Sequence, residues 1–392
     1  MYRKSTMQLI ALLFYVAIIS YMIGSCFEFT VWANDIRLFT AIMKNVSYVL
    51  MVPCILDAVQ WTLNNFNKKM IKYLLMLGVF LIYMIFFHVN AAFVCFGFSF
   101  AALRIDKEQL IDILKYVLIA LLITVIVLGI FNGNVQARVW GNTRNRYSFG
   151  FTDSYSMQMI WMSIVSCIIL DKRRTSIYKL AFMLFVTMVL NAFGDTRTAF
   201  IATIFLLVMN HIMQNIKISF KRSKGKKKHS FFRYLFVLCF GFFNGICWIN
   251  YKYTSAVALA LDGIFTGRIS TTTRFIRYVC GGSISLFPTV VEDNFDLSVA
   301  ALKSFALDSS YAQMLFWYGI LFSIIVLILL EKFMSVAIKK DNVKLIAILS
   351  AVALNGMLQP TVLSLIYNPT IILAIGMIFN SFIERERQNG NN

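Results

Sequence analysis

The sequence predicts an all-α fold: a polytopic bundle of about twelve membrane helices. Three observations carry that prediction. Hydrophobic residues make up 59% of the 392 positions and mean hydropathy is +0.73, more apolar surface than one soluble core could bury. Apolar stretches of bilayer-crossing length recur along the whole chain. The basic residues fall unevenly on alternate sides of those stretches. Residues 1–392 read as a single integral membrane domain without a detectable internal repeat.

The expected spans follow in chain order. Met7–Phe27 is too long for a cleavable leader and lacks a small-residue cleavage site, so it is expected to stay as the first helix. Leu38–Val59 follows and carries Lys44. Lys72–His88 and the short Ala91–Leu103 come next, the latter with the length of a tilted or re-entrant segment. Leu110–Phe131, Ser154–Leu170, Ile177–Phe193, Thr198–Met213 and Phe231–Asn250 continue the alternation. Tyr311–Leu330, Val343–Met357 and Thr361–Phe379 complete it, with Pro360 and Pro369 at or near the ends of the last two.

Loop charge sets the orientation. With the N-terminus inside, 26 of the 37 Lys and Arg residues fall on the cytoplasmic side and Lys44 lies within a span. The other ten are external: Arg37, Arg138, Arg144, Arg146, Arg197, Lys252, Arg268, Arg274, Arg277 and Lys303. That asymmetry obeys the positive-inside rule and predicts both termini in the cytoplasm. It also accounts for the net charge of +19 without nucleic acid. The basic cytoplasmic loop over residues 214–230, with its run Lys221–Lys228, reads as a topogenic segment against anionic lipid.

Two external segments exceed simple turns: a first loop over residues 132–153 and a large loop over residues 251–310, between helices 9 and 10. Long loops on a compact protein are usually functional or disordered, and these are rich in Phe, Tyr, Ile and Leu, which argues against disorder. The larger one is expected to hold short helices lying across the outer mouth of the bundle. A shorter feature, Gly194-Asp195-Thr196-Arg197-Thr198, puts Arg197 at a span boundary.

Arginine suits a pyrophosphate because its planar guanidinium stays charged and pairs two phosphoryl oxygens at once. Arginine at bilayer depth costs about 2.5–3.5 kcal/mol at the centre and less toward the interface. Arg144, Arg146, Arg197 and Arg268 all adjoin apolar spans or short polar breaks. An anion fixed at headgroup depth would offset the cost. Snorkelling to lipid headgroups is the alternative for each singly. Other chemistries find little support. The three histidines, His88, His211 and His229, are dispersed, which argues against a zinc site. Six of the seven cysteines lie in or beside apolar spans, and no C-x-x-C, H-E-x-x-H or G-x-S-x-G pattern occurs.

Four segments, in order, resemble those of bacterial polysaccharide (O-antigen and capsule repeat-unit) polymerases of the Wzy type, in the O-antigen polymerase/ligase superfamily. Arg146-Tyr-Ser-Phe-Gly-Phe-Thr-Asp153 is similar to their R-x-S-x-G-F segment. Asp195-Thr-Arg-Thr-Ala199 resembles their S-R-T-A segment. Gly267-Arg268, and Asp308-Ser-Ser-Tyr311 followed by Tyr318-Gly-Ile320, resemble the segments around their large outer loop. The resemblance implies a GT-C-like helical fold in the bacterial cytoplasmic membrane. It implies a metal-independent glycosyltransferase, without cofactor, joining undecaprenyl-pyrophosphate-linked repeat units at the outer face. Its partners would be those lipid-linked oligosaccharides, the bilayer, and the flippase and chain-length regulator of the same pathway. Related ligases carry a histidine near the end of the outer loop, where this chain has Asp308-Ser309-Ser310.

On that reading Arg197 and Arg268 stabilise the departing pyrophosphate, with Arg144, Arg146, Arg274 and Arg277 contributing to substrate binding. Asp308 is the candidate base and Tyr311 a residue that orients substrate. Asp308 is equally placed to N-cap a helix starting near Ser310. The competing functions are an O-antigen ligase-type transferase, a non-enzymatic scaffold of a polysaccharide export complex, and a lipid-linked oligosaccharide flippase, the last of which predicts ionisable residues lining a path through the spans; here Lys44 and Asp57 are the main such residues.

Overall fold

The computed structural model describes residues 2–135, 146–171, 175–215, 230–289 and 307–389. Those residues are mainly helical, joined by turns and irregular chain, with an isolated bridge between Thr30 and Phe151. In order the helices are α1 (Tyr2–Phe27), α2 (Arg37–Asn64), α3 (Lys68–Phe87), α4 (Ala91–Ala101), α5 (Lys107–Phe131), α6 (Ser154–Leu170), α7 (Ile177–Gly194) and α8 (Arg197–Asn215). They continue with α9 (Ser230–Arg233), α10 (Leu235–Tyr253), α11 (Ala256–Ile264), α12 (Arg268–Tyr278), α13 (Ser310–Ala312), α14 (Ile320–Lys339), α15 (Val343–Asn355) and α16 (Ala374–Asn389).

Eight of these, α1, α2, α3, α5, α7, α8, α10 and α14, are long and apolar enough to cross a membrane. The four other expected spans appear as shorter apolar helices: Ala91–Arg104, Ser154–Leu170, Val343–Asn355 and Pro369–Glu384. Length and burial divide the same way. The most apolar window of α3 is 22% buried and that of α7 is 17% buried. Large apolar side chains such as Leu75, Phe86, Tyr178 and Phe185 stand exposed on them, as on helices meant for lipid. The short α6 buries every residue but Tyr155, Ile168 and Leu170, and α15 all but three of its own. α1 packs along α2, α8 along α15 and α5 along α6.

A 13-residue helix such as α15 rises only about 20 Å, against a hydrocarbon core of about 30 Å. The remainder is irregular chain, residues 356–368, none of it exposed. Buried non-helical backbone needs protein partners, and it has them. The Gly356 and Gln359 carbonyls accept from Ser310, Val362 N–H donates to the Ser310 hydroxyl, and Asn368 donates to the Val362 carbonyl.

Two expected boundaries move for this reason. The twelfth expected span begins as irregular chain and becomes helical only at Pro369. The tenth is broken. A π-helical turn, Gln313–Trp317, leads into Gly319 at φ 91°, and the long helix starts at Ile320. The Phe287 carbonyl oxygen would lie 2.6 Å from any Cβ at position 319, so the break needs glycine.

Polar contacts sort the two ends of the bundle. At the end expected to be cytoplasmic, Arg104 pairs with Asp57 at 2.6 Å, Lys340 with Glu384 at 2.8 Å, and Arg233 with Glu331. At the end expected to be external, Lys44 pairs with Glu28. The first outer loop turns back there. Thr152 N–H donates to the Phe29 carbonyl at 2.8 Å and Val31 N–H to that of Gly150 at 2.9 Å. Gly129 of α5 makes this possible, since a Cβ there would stand 2.3 Å from the Phe149 carbonyl carbon.

Candidate functional site

The site grows from the α11–α12 corner. Thr266 and Gly267 both adopt positive φ, 53° and 83°, which reverses the chain and starts α12 at Arg268. The Asp262 carboxylate closes the corner by accepting from the Ile269 and Ser270 N–H groups at 2.9 and 3.1 Å. Those are orphan donors of a helix start. Arg268 is then tethered on two edges. Its Nε donates to the Leu358 carbonyl, and its Nη1 to the Thr266 hydroxyl and, at 3.3 Å, to the Phe265 carbonyl. Nη2 makes no hydrogen bond to the described residues. The guanidinium is partly buried, and burial lowers its pKa while Asp308 and Tyr155 act to raise it; arginine stays charged regardless.

The 356–360 turn gathers three helix starts. Leu358 holds Arg268 of α12. Gln359 donates to the Thr198 hydroxyl of α8 at 3.2 Å. Gly356 and Gln359 hold Ser309 and Ser310 at the start of α13. Arg197 and Arg268 therefore begin helices at the same end of the bundle, around one turn. Arg197 is itself exposed.

Asp308 precedes this turn. Ser309 N-caps α13, its hydroxyl accepting from Ala312 N–H at 3.3 Å, so the cap that Asp308 could have supplied is already made. Asp308 presents exposed surface, yet protein crowds around it. That desolvation raises its carboxyl pKa, Arg268 lowers it, and Asp153 adds a second raising influence.

Asp153 N-caps α6 by accepting from Ser156 N–H at 2.7 Å. Tyr367 reaches the same turn, its hydroxyl donating to that of Ser156 at 3.0 Å. Its ring lies 5.8 Å from that of Tyr155 in an edge-to-face pair. Arg268, Asp308, Asp153 and Tyr155 thus form one electrostatic group.

Beside it lies a set of buried polar atoms without hydrogen-bond partners. Five of the twelve recorded among the described residues fall in two short segments: Arg146 Nε, Ser148 Oγ, Tyr155 Oη, Asn191 Oδ1 and Thr196 Oγ1. The segments touch. Tyr147 N–H donates to the Phe193 carbonyl at 3.0 Å and the Ser154 hydroxyl to that of Gly194 at 2.7 Å. Folded proteins leave few such atoms, and each costs about 1–3 kcal/mol. A local concentration of them marks a place where water or a ligand belongs.

The other expected site residues sit elsewhere. Arg274 and Arg277 are exposed further along α12. Tyr311, expected to orient substrate, lies in the core: it is 0% exposed and its hydroxyl donates to the Ala353 carbonyl at 2.8 Å. Arg144 and the basic run Lys221–Lys228 lie outside the described residues. Asp153, Tyr155 and Tyr367 join the site without having been singled out. Asp153 closes the Arg146–Asp153 segment that the resemblance used, so a signal existed for it; Tyr367 lay inside an expected span and offered none.

Among the described residues no group of three or more His, Cys, Asp or Glu could hold a metal ion. No family model, curated protein or solved structure matches the chain.

Proposed function

We propose that the chain is a membrane glycosyltransferase of the Wzy polymerase type. It would join undecaprenyl-pyrophosphate-linked oligosaccharide units into a surface polysaccharide at the outer face of the cytoplasmic membrane. The observation that supports this most is the grouping of a tethered guanidinium, Arg268, with a carboxylate, Asp308, beside buried polar groups that lack partners. The arginines also lie on the side where positive charge is disfavoured.

The chemistry follows from these groups. A sugar hydroxyl of the incoming unit attacks the anomeric carbon of the growing chain. The bond from that carbon to the lipid pyrophosphate breaks, and the pyrophosphate leaves with the electron pair. Asp308 takes the hydroxyl proton. Its raised pKa makes it a stronger base than an ordinary carboxylate. Arg268, fixed beforehand by Leu358 and Thr266, meets the charge that develops on the leaving group, and fixed donors are worth most there. Arg197 and Arg146 assist from the same end of the bundle.

The flippase alternative needs charged groups along a path through the spans. The two main candidates are each neutralised in a pair, Lys44 by Glu28 and Asp57 by Arg104, which favours the polymerase reading. Cells lacking this chain should accumulate single lipid-linked repeat units on the outer leaflet, and Arg197→Ala should do the same with the protein present at normal level in the membrane. Accumulation on the inner leaflet would point to the flippase. A normal ladder of long chains from the Arg197→Ala cells would reject Arg197 as a catalytic group.

A further inference from the structure

The Tyr155 hydroxyl is buried, has no hydrogen-bond partner, and belongs to the first turn of α6. Every neighbouring polar group of that turn is occupied. Ser154 donates to Gly194, and Ser156 receives Tyr367 while donating to Asp153. The Asp153 carboxylate caps the helix. Tyr155 is held in place by its ring, packed edge-to-face against Tyr367, which in turn lies 5.2 Å from Phe29. The fold therefore fixes the ring and leaves the hydroxyl unused, although a lone buried hydroxyl is a net cost. The same phenol lies within electrostatic reach of Arg268 and Asp308.

We propose that Tyr155 is a substrate-contacting residue whose hydroxyl donates a hydrogen bond to a phosphoryl oxygen of a lipid diphosphate held by Arg268. The inference rests on the polymerase reading and deepens it. The partner must accept a hydrogen bond and suit a positive neighbour. A phosphoryl oxygen meets both demands, and Arg268 retains Nη2 for the same group. Tyr155 and Arg268 then grip the leaving group from two sides, α6 and α12. The phenol supplies a neutral donor where a further arginine would add another desolvated charge.

The test compares the wild type with Tyr155→Phe in detergent or nanodiscs, using farnesyl diphosphate and inorganic pyrophosphate as probes. Tyr155→Phe keeps the ring. Without ligand it should melt at or above the wild-type temperature, because no hydrogen bond is lost. Farnesyl diphosphate at a hundredfold excess over Kd should raise the wild-type Tm by about 2–4 °C. Tyr155→Phe should lose most of that rise, and chain growth should fall about 10- to 100-fold. An equal response to inorganic pyrophosphate would support Tyr155 as a phosphoryl ligand while assigning the site to the free anion. A lower unliganded Tm in Tyr155→Phe would make the hydroxyl structural and overturn the proposal. A full ligand-induced rise in Tyr155→Phe would overturn the contact and leave the polymerase reading standing. A wild type that neither probe shifts would overturn both.

Discussion

Replacing Arg268 by lysine separates charge from geometry. On the proposed function the guanidinium does two jobs at once: Nε and Nη1 anchor it to Leu358 and Thr266, and the remaining nitrogen meets the leaving group. Lysine keeps the charge but has one nitrogen. It can anchor or present, not both. Losing one preorganised donor in the transition state costs about 2.7–4 kcal/mol, or 10²–10³ in rate. Arg268→Lys and Arg268→Ala should therefore both slow chain growth by at least about 10²-fold. Stability should change less. The charge-assisted bond to the Leu358 carbonyl is worth about 1.5–3 kcal/mol when dry, and solvent contact reduces that to about 1–2 kcal/mol in this half-open position. The assay is the rate at which purified variants lengthen lipid-linked repeat units, read as a product ladder beside a thermal melt. Arg268→Lys within threefold of the wild type would refute the reasoning, because charge alone would then suffice.

Four further outcomes follow from the geometry. Asp308 must be ionised to accept a proton, so activity should fall as pH drops through its raised pKa. Asp153→Asn removes the like charge while keeping a competent N-cap, so it should move that acid limb to lower pH in a pH–rate profile; an unmoved limb would deny the coupling. Tyr311→Phe strips the hydroxyl from the Ala353 carbonyl at the C-terminal turn of α15, which should cost about 1–3 kcal/mol in a denaturation measurement and change the rate of intact protein less than threefold. Gly129→Ala forces a methyl against the Phe149 backbone and should destabilise by about 1–3 kcal/mol or more, with loss of activity as the Arg146–Asp153 segment is displaced. Gly78→Ala, which meets nothing within 4 Å in α3, should be neutral or stabilising by up to about 1 kcal/mol.

Hydropathy found the eight helices long and apolar enough to cross a membrane, because a run of about 20 apolar residues is a strong signal. It failed where buried chain is not helical. Residues 361–368 have span-like composition, but their backbone is held by Ser310, Gln359 and Asn368, and 311–319 is broken by a π-helical turn and Gly319. Composition records what is buried, not which partner holds it. The site follows the same pattern. The arginines expected to be external stood out because that placement would run against a charge rule, and Arg268 and Arg197 do begin helices around one turn. The tether to Leu358 is a contact across 90 residues of sequence and leaves no local trace. Asp308-Ser309-Ser310 could cap a helix through either of its first two residues, and only the structure assigns the cap to Ser309. Tyr155 and Tyr367 look like any interfacial aromatic until their hydroxyls are accounted for.

The central claim is that guanidinium groups at one end of the bundle grip a diphosphate leaving group during sugar transfer. Reconstituting the purified chain in liposomes with an undecaprenyl-pyrophosphate-linked repeat unit and no other protein tests it most directly. Long glycans should appear on the lipid, with undecaprenyl pyrophosphate released in proportion to the linkages formed, and neither from Arg268→Ala. Repeat units that stay single while the wild-type protein is folded and the substrate is accessible would contradict it.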